Sequence, residues 1–225
     1  MQMNSQQKKP VRKIAIGTSS IRGTIPTLGQ YESSLERDFM ELVRFDSNVE
    51  LYTPQPVKIS FHDRAGRKTT YVPDGLIEYR HDLFPASELK PVLCEIKYRD
   101  DFRKDWKRLI DCFKAAKLYA LEQGWVFKVY TEFEIRTNYL KNIKFLIEYR
   151  NEISPVSVED NILIKLEELR ISDPETLLVS LFRDPWVRAD AIRVLWRLIA
   201  LRRIGCDLTE VLTMRSKIWT MESRS

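Results

Sequence analysis

The sequence has very little histidine and glycine, and each shortage excludes a class of protein. His62 and His81 are the only histidines among 225 residues. Nucleases that bind metal through histidine clusters and hydrolases with a Ser-His-Asp triad therefore lack the side chains that they need. The seven glycines form no glycine-rich loop of the kind that holds ATP phosphates. A P-loop nucleotide site is therefore not expected.

Cysteines and long apolar runs are also scarce. Cys94, Cys112 and Cys206 are odd in number and far apart, so they predict buried thiols in a reducing cytosol rather than disulfides or a zinc site. No run of about 18 apolar residues occurs, and no membrane span or membrane partner is expected. Residues 1–13 are basic without the apolar stretch of a secretory signal. We therefore expect a cytoplasmic protein.

The composition is that of a globular protein with a positive balance. Hydrophobic residues make up 44%, charged residues 31%, and the net charge is +5 with a pI near 9.0. This length allows one large domain or two modest ones. A positive surplus suits a partner with a phosphate backbone, although many basic proteins bind no nucleic acid.

Residues 1–30 are polar, contain Gly17, Gly23, Pro26 and Gly29, and predict a flexible N-terminal arm. Its basic side chains are Arg12, Lys13 and Arg22. Two interpretations stay open for this arm, an unstructured tail and a segment that contacts DNA.

Residues 31–152 alternate between helical and extended patterns. Apolar residues recur at helical spacing from Ser33 to Phe45, and alternate with polar ones from Val57 to His62. The order predicts an α/β domain with a mixed sheet flanked by helices. The remaining predicted elements are strands at 68–72, 74–79, 91–98 and 126–131, and helices at 101–123 (with Gly124 as C-terminal cap) and 138–150.

The pattern breaks at 151–158, and residues 153–225 are mostly helical. Asp173-Pro174 and Asp184-Pro185 each place a capping carboxylate before a proline, which is typical of helix starts. Helices are predicted at 162–169, from Pro174, and at 186–201. A short strand pair within 202–209 and a last helix over 210–217 complete a module that resembles a winged-helix domain.

Four residues stand out as candidates for chemistry: Glu36, Asp74, Glu95 and Lys97. Asp74 follows Pro73 at a strand start, while Glu95 and Lys97 share one face of an apolar strand. Burying a carboxylate or an amine is costly unless it is paired or binds a metal. Each also has a structural alternative: an ion pair for Glu95 and Lys97, a turn for Asp74, and a capping box with Ser33 for Glu36.

The combination favours a nuclease over these alternatives. Carboxylates can hold magnesium, or manganese in its place, which polarises a phosphoryl oxygen and activates water. A lysine beside them can orient or deprotonate that water. Helix glutamate, hairpin, Pro-Asp and Glu-x-Lys are each common, but their occurrence in this order is much rarer.

This order resembles the PD-(D/E)xK nucleases, which have a restriction-endonuclease-like fold. More narrowly, it resembles the TnsA endonucleases of Tns-type transposons. The matching segments are Tyr31–Asp38, Gln55-Pro56, Tyr71–Asp74, Glu95–Lys97 and Tyr130–Glu132. The similarity extends over the helical tail, where that family has a winged-helix domain, and leaves out residues 1–30.

The resemblance implies a role, a cofactor and partners. TnsA cuts the 5′ strands of double-stranded DNA at transposon ends, while a DDE transposase cuts and joins the other strands. An AAA+ ATPase regulator contacts the pair, through the C-terminal domain on the TnsA side. By motif position, Glu36, Asp74 and Glu95 are the implied Mg²⁺ ligands and Lys97 the catalytic lysine. Glu95 stands where some members have glutamine.

Two other functions fit the same core: a stand-alone restriction or repair nuclease, and a DNA- or protein-binding scaffold that no longer cuts. The intact set of four residues argues against the scaffold. A DNA path is predicted along basic residues of the first domain, with a solvated helix face as its alternative. These residues are Lys58, Arg64, Arg67, Lys68, Arg99, Arg103, Lys104, Lys107 and Arg108.

The basic residues of the tail have two interpretations, a DNA-binding face and a protein interface, and the resemblance favours the protein interface. The tail arginines considered are Arg183, Arg188, Arg193, Arg197, Arg202 and Arg203. The tryptophans Trp186, Trp196 and Trp219 are predicted to lie in the core.

Overall fold

The computed structural model describes residues 23–25 and 28–221. The arm residues Arg12, Lys13 and Arg22 lie outside the described residues, so their role stays a prediction. The chain forms two compact units, one up to Ile135 and one from Arg136 onward. In the described part, no helix combines the length and apolar character needed to cross a membrane.

The first unit is an α/β domain, as predicted. Its strands are β1 Gly23–Ile25, β2 Gly29–Tyr31, β3 Val49–Pro54, β4 Ile59–His62, β5 Lys68–Tyr71, β6 Gly75–Tyr79, β7 Val92–Ile96 and β8 Val126–Tyr130. Its helices are α1 Ser34–Phe45, α2 Arg99–Lys104, α3 Trp106–Glu122 and α4 Glu132–Ile135, with a 3-10 turn at Ala86–Glu88.

The central sheet has four strands in the order β3-β6-β7-β8. β6 is antiparallel to both β3 and β7, whereas β7 and β8 run parallel. The mixed sheet is therefore confirmed. The sequence pattern had not singled out β3 as a strand, and β1 pairs with β2 in a hairpin within the segment expected to be an irregular arm.

Helices cover both faces of this sheet. Phe39 of α1 packs with Tyr52 and Tyr130, whose ring centroids lie 6.2 and 4.8 Å away. On the other face, a core cluster joins the sheet, the β4–β5 hairpin and α3. Its buried members are Ile59, Tyr71, Leu76, Leu93, Cys112, Ala116 and Ala120. The layers hold β7, the strand with Glu95, between two apolar surfaces.

The long helix predicted over 101–123 is divided. α2 ends before Asp105, and α3 begins at Trp106. Gly124 has a φ of 76°, the left-handed conformation that glycine adopts with little strain at the end of a helix. Gln123 is the C-cap of α3 and Gly124 directly follows it, so the predicted helix end is confirmed, and the single helix becomes two.

The second unit contains α5 Asn138–Arg150, α6 Val156–Leu169, β9 Ile171–Ser172, α7 Pro174–Leu181, α8 Pro185–Ala200, β10 Ile204–Cys206 and β11 Ile218–Thr220. Asp173 and Asp184 cap α7 and α8 through their side chains, as predicted. Two expectations were wrong. Residues 210–217 form no helix, and β10 pairs not within 202–209 but with β11, which also pairs with β9.

Packing explains why the units divide before α5 rather than after it. Phe145 of α5 meets Trp196 of α8 at 5.5 Å between ring centroids. Asn142 of α5 donates hydrogen bonds to the backbone oxygens of Leu208 and Glu210. The sequence break at 151–158 falls inside this unit, where residues 151–155 connect α5 to α6. Trp196 is buried as expected, but Trp186 is 82% exposed, so its predicted core position was wrong.

Candidate active site

Asp74 lies between the end of β3 and the end of β7. Its backbone oxygen accepts a 2.9 Å hydrogen bond from the backbone N–H of Gln55. Its side-chain Oδ2 accepts a 2.7 Å bond from the backbone N–H of Ile96. Pro73 directly before it removes one backbone donor and restricts the entry into β6. Asp74 is thus held at two points: β7 binds its carboxylate, and the residue after β3 binds its backbone.

Glu95 lies inside β7 and is only 4% exposed. Its Oε2 accepts a 2.5 Å hydrogen bond from the hydroxyl of Tyr71, at the end of the β4–β5 hairpin. Its Oε1 lies 3.7 Å from Nζ of Lys97, which is partly exposed. Strand alternation puts Glu95 on the same face as Leu93, so the carboxylate ends an otherwise apolar surface.

Glu36 lies in the first turn of α1. The Ser33 side chain accepts a hydrogen bond from the Glu36 backbone N–H, and the Ser33 hydroxyl donates to Glu36 Oε1. The backbone N–H of Glu32 donates to Glu36 Oε2 at 2.9 Å. The capping interaction considered as the structural alternative is therefore present.

All four predicted residues line one cavity of about 710 Å³. Glu36, Asp74, Glu95 and Lys97 arrive there from α1, the start of β6, β7 and the residue after β7. The hairpin and the start of α3 close the cavity, which is also lined by Glu32, Gln55, Lys58, Thr70, Tyr71, Val72, Ile96, Arg108 and Leu109. Glu36 therefore both caps α1 and lines this cavity.

The three acids have raised pKa values. For Asp74, burial raises the pKa most, followed by repulsion from Glu95 and Glu36, while the Ile96 N–H and Lys97 oppose the rise. Burial also raises the pKa of Glu95, against the opposing effects of the Tyr71 hydroxyl and Lys97. The pKa of Glu36 is raised by burial first. Burial and mutual repulsion thus oppose ionisation of the acids in the cavity, and the neighbouring Lys97 offsets this effect only in part.

The set of acids in this cavity fits a divalent cation by the chemistry of its donors. Carboxylate oxygens are the ligands that magnesium and manganese prefer. Among the described residues, no three His, Cys, Asp or Glu side chains stand close enough together to form a ready-made metal site. A cation would therefore have to draw Glu36, Asp74 and Glu95 inward against their mutual repulsion.

The predicted basic path is partly neutralised by ion pairs. Lys58 and Arg108 line the cavity. Within the first unit, Arg64 pairs with Asp111 at 2.8 Å, and Arg108 pairs with Asp105 at 3.1 Å. A second cavity of about 590 Å³ shares Thr70 and Arg108 with the first and is also lined by Arg64, Arg67 and Lys107. The two cavities thus share a wall between the β4–β5 hairpin and α3.

Three side chains in the cavity were not predicted to act there: Glu32, Gln55 and Tyr71. Each lies in a segment that carried the family resemblance, which was the available signal. Glu32 precedes the helix with Glu36, Gln55 precedes Pro56, and Tyr71 stands three residues before Asp74. Sequence spacing alone does not reveal that a tyrosine at a hairpin end contacts a glutamate in another strand.

Three of the six tail arginines considered for binding pair with acids of the same unit. Arg197 and Arg203 both bind the carboxylate of buried Glu159, which also accepts a hydrogen bond from Ser154. Arg193 pairs with Glu152. These contacts hold α8 and the segment after it against α6 and the connection before α6, so a structural role accounts for these three side chains.

Comparison with known families matches the chain in two successive segments. Residues 46–132 match the model of the TnsA-like endonuclease N-terminal domain, and residues 134–208 match the TnsA endonuclease C-terminal domain. A search of curated proteins gave no match. The first match includes Asp74, Glu95 and Lys97, and the two matches follow one another as do the two compact units. This protein belongs to the TnsA endonuclease family.

Proposed function

We propose that this chain is a Mg²⁺-dependent DNA endonuclease that cuts the 5′ strands at transposon ends during cut-and-paste transposition. The observation that carries the proposal is the meeting of Glu36, Asp74, Glu95 and Lys97 in one cavity. The three acids come from separate segments of the chain, and Lys97 stands two residues after Glu95. Burial raises the pKa of each acid, and a bound cation would lower these pKa values again.

The protein residues divide the work of phosphodiester hydrolysis. Glu36, Asp74 and Glu95 would hold the cation, Mg²⁺ or Mn²⁺ in its place, which when bound stabilises charge on the phosphate and helps activate water. Lys97, at the exposed side of Glu95, orients the attacking water or accepts its proton. Tyr71 fixes the rotamer of Glu95, because its hydroxyl holds one carboxylate oxygen.

The DNA substrate would enter past the β4–β5 hairpin. Lys58 and Arg108 lie in the cavity, where their charges meet the phosphates beside the bond to be cut. Lys107 lines the adjoining cavity and makes no ion pair with another described residue. A basic side chain that is already paired with an acid, as Arg64 is with Asp111, adds less to the affinity for DNA phosphates. Lys58 and Lys107 should therefore contribute more to that affinity.

The proposed complex includes a DDE transposase and an AAA+ ATPase regulator in the bacterial cytosol. We assign the regulator to the C-terminal domain, proposed from sequence as residues 153–225, and give that domain a winged-helix fold. Two features support the fold: β9 lies between α6 and α7, and β10 and β11 follow α8 as an antiparallel pair. Arg193, Arg197 and Arg203 are paired with acids of their own unit and so offer less free positive charge to DNA. The surface of this domain therefore suits a protein partner better than DNA.

A strand-specific cleavage assay tests the proposed function. A duplex transposon end carries a different label on each strand and is incubated with this protein, transposase and regulator, with Mg²⁺ or with EDTA. The expected result is 5′-strand cleavage that needs both this protein and Mg²⁺. Cleavage of that strand without this protein, or equal cleavage in EDTA, would contradict the proposal.

A further inference from the structure

Gln55 has a backbone conformation that is unusual for a glutamine. It follows the last residue of β3 and has a φ of 47°. Residues other than glycine, asparagine and aspartate rarely adopt this left-handed region. Such strain persists where the surrounding structure holds it, and it concentrates at functional sites. A glycine would make the same turn without strain, so the side chain itself needs an explanation.

Gln55 connects two of the cavity acids. Its backbone N–H donates to the backbone oxygen of Asp74 at 2.9 Å, and its Nε2 donates to Glu32 Oε1 at 3.0 Å. Glu32 in turn donates its backbone N–H to Glu36 Oε2 at 2.9 Å. One residue therefore ties the segment that carries Asp74 to the segment that carries Glu36.

The side-chain oxygen of Gln55 is left without a partner. Gln55 Oε1 is buried, and no hydrogen-bond donor among the described residues reaches it. The contact with Glu32 assigns the nitrogen and oxygen of the amide, because a carboxylate only accepts hydrogen bonds and the amide nitrogen must therefore face it. A buried carbonyl oxygen without a donor is costly and unusual. It lies on a residue that lines the same cavity as the three acids.

We propose that Gln55 Oε1 is a further oxygen ligand of the divalent cation in this cavity. Amide oxygens are ordinary ligands of hard cations. A neutral ligand suits this place, because the cavity is already lined by Glu32, Glu36, Asp74 and Glu95, and another ionised acid would add to their mutual repulsion. This inference rests on the proposed function, since it requires the cavity to hold a cation.

Calorimetric titration of the purified full-length chain with Mn²⁺ tests the inference. The variant Gln55→Gly keeps the backbone N–H and relieves the left-handed strain, but removes the oxygen. We expect it to unfold at the same temperature as the unchanged protein, or higher, and to bind Mn²⁺ about tenfold more weakly. Gln123→Ala, at the end of α3 and outside the cavity, is the matched control with unchanged affinity.

Further variants separate failure of this inference from failure of the proposed function. If Asp74→Ala loses Mn²⁺ binding while Gln55→Gly keeps full affinity, Gln55 is no ligand and the nuclease proposal stands. If the unchanged protein binds no Mn²⁺, both proposals fail. Both also fail if the Asp74→Ala variant binds Mn²⁺ as tightly as the unchanged protein. If Gln55→Gly does not fold, Gln55→Asn replaces it, since asparagine tolerates this backbone and its shorter side chain withdraws the oxygen. Full Mn²⁺ affinity in that variant overturns the inference.

Discussion

The hydroxyl of Tyr71 donates a 2.5 Å hydrogen bond to Glu95 Oε2. This contact joins the β4–β5 hairpin to the central strand β7 at the point where the hairpin borders the cavity. It stabilises the ionised form of a buried acid and so opposes the rise in the pKa of Glu95. Because its partner is ionisable, the contact connects the position of the hairpin with the pH dependence of the site.

Removing this hydroxyl should shift the pH profile of cleavage. Tyr71→Phe keeps the ring in the core but withdraws the bond that lowers the pKa of Glu95. The pKa should then rise further, so the acid limb of the cleavage rate should move to higher pH. Rates measured from about pH 5 to pH 9 would show the change. Tyr119→Phe, which packs against Trp125 away from the cavity, should leave the profile unchanged, and an unmoved profile for Tyr71→Phe would contradict this role.

Asp74→Ala should abolish 5′-strand cleavage. The substitution removes the acid that is fixed by the Ile96 N–H, which is one of the three ligands in the proposed metal site. In a reconstituted assay, the cuts made by the transposase on the other strand should remain. Asp82→Ala, an exposed acid paired with Arg80, is the control. Full 5′-strand cleavage by Asp74→Ala would remove the proposed site.

Lys97→Ala should fold and keep its partners but cut slowly. The amine is partly exposed and lies 3.7 Å from Glu95, so its loss should cost little stability. General acid–base groups contribute roughly 10²- to 10⁴-fold to a rate, and we expect a loss in that range under single-turnover conditions. Circular dichroism checks the fold, with Lys90→Ala as the exposed control before β7. An unfolded Lys97→Ala protein would show that this lysine is structural.

The contribution of Asp74 to the stability of the metal-free protein should fall as pH rises above about 4, the ordinary pKa of aspartate. Burial first, and then repulsion from Glu95 and Glu36, raises the folded-state pKa of Asp74. The folded protein then keeps a proton that the unfolded chain releases, and stability is lost until the pH passes the raised folded-state pKa. A tenfold difference in proton affinity between the folded and unfolded chains corresponds to about 1.4 kcal/mol.

Asp74→Asn should flatten this dependence, because asparagine does not ionise. Urea unfolding in EDTA at about pH 5 and about pH 8 measures the effect. We expect the asparagine variant to lose less stability between these values than the unchanged protein. Equal losses in both proteins would show that Asp74 is not the group responsible.

Glu159→Ala should destabilise the second unit. This buried carboxylate binds Arg197 and Arg203 and accepts a bond from Ser154. Removing one partner of a buried pair costs about 3–5 kcal/mol, and we expect about 3 kcal/mol or less because Arg203 is 44% exposed. Chemical unfolding followed by tryptophan fluorescence measures it. Glu167→Ala, an exposed position on the same helix, should have an effect below about 0.5 kcal/mol.

Several parts of the fold were predictable because their causes are local. The helical stripe of α1, the aspartate caps of α7 and α8, the turn between β4 and β5, and Gly124 at the end of α3 depend on residues close in sequence. The break at Asp105 was missed because the residues around it are all compatible with helix. The prediction of a helix over 210–217 was wrong because distant contacts hold part of it as a loop: Asn142 donates to the backbone oxygen of Glu210 and accepts from the backbone N–H of Leu212.

By itself, the sequence determined which chemistry this protein can attempt: three acids and a lysine in the order of a nuclease core, with too few histidines for other hydrolytic sites. Tertiary structure alone decided that they share one cavity, and that Glu32, Gln55 and Tyr71 join them there. The physical reason is distance along the chain. Contacts such as Tyr71 to Glu95, or Gln55 to Glu32, depend on how strands pair and helices pack, and no local pattern records that pairing.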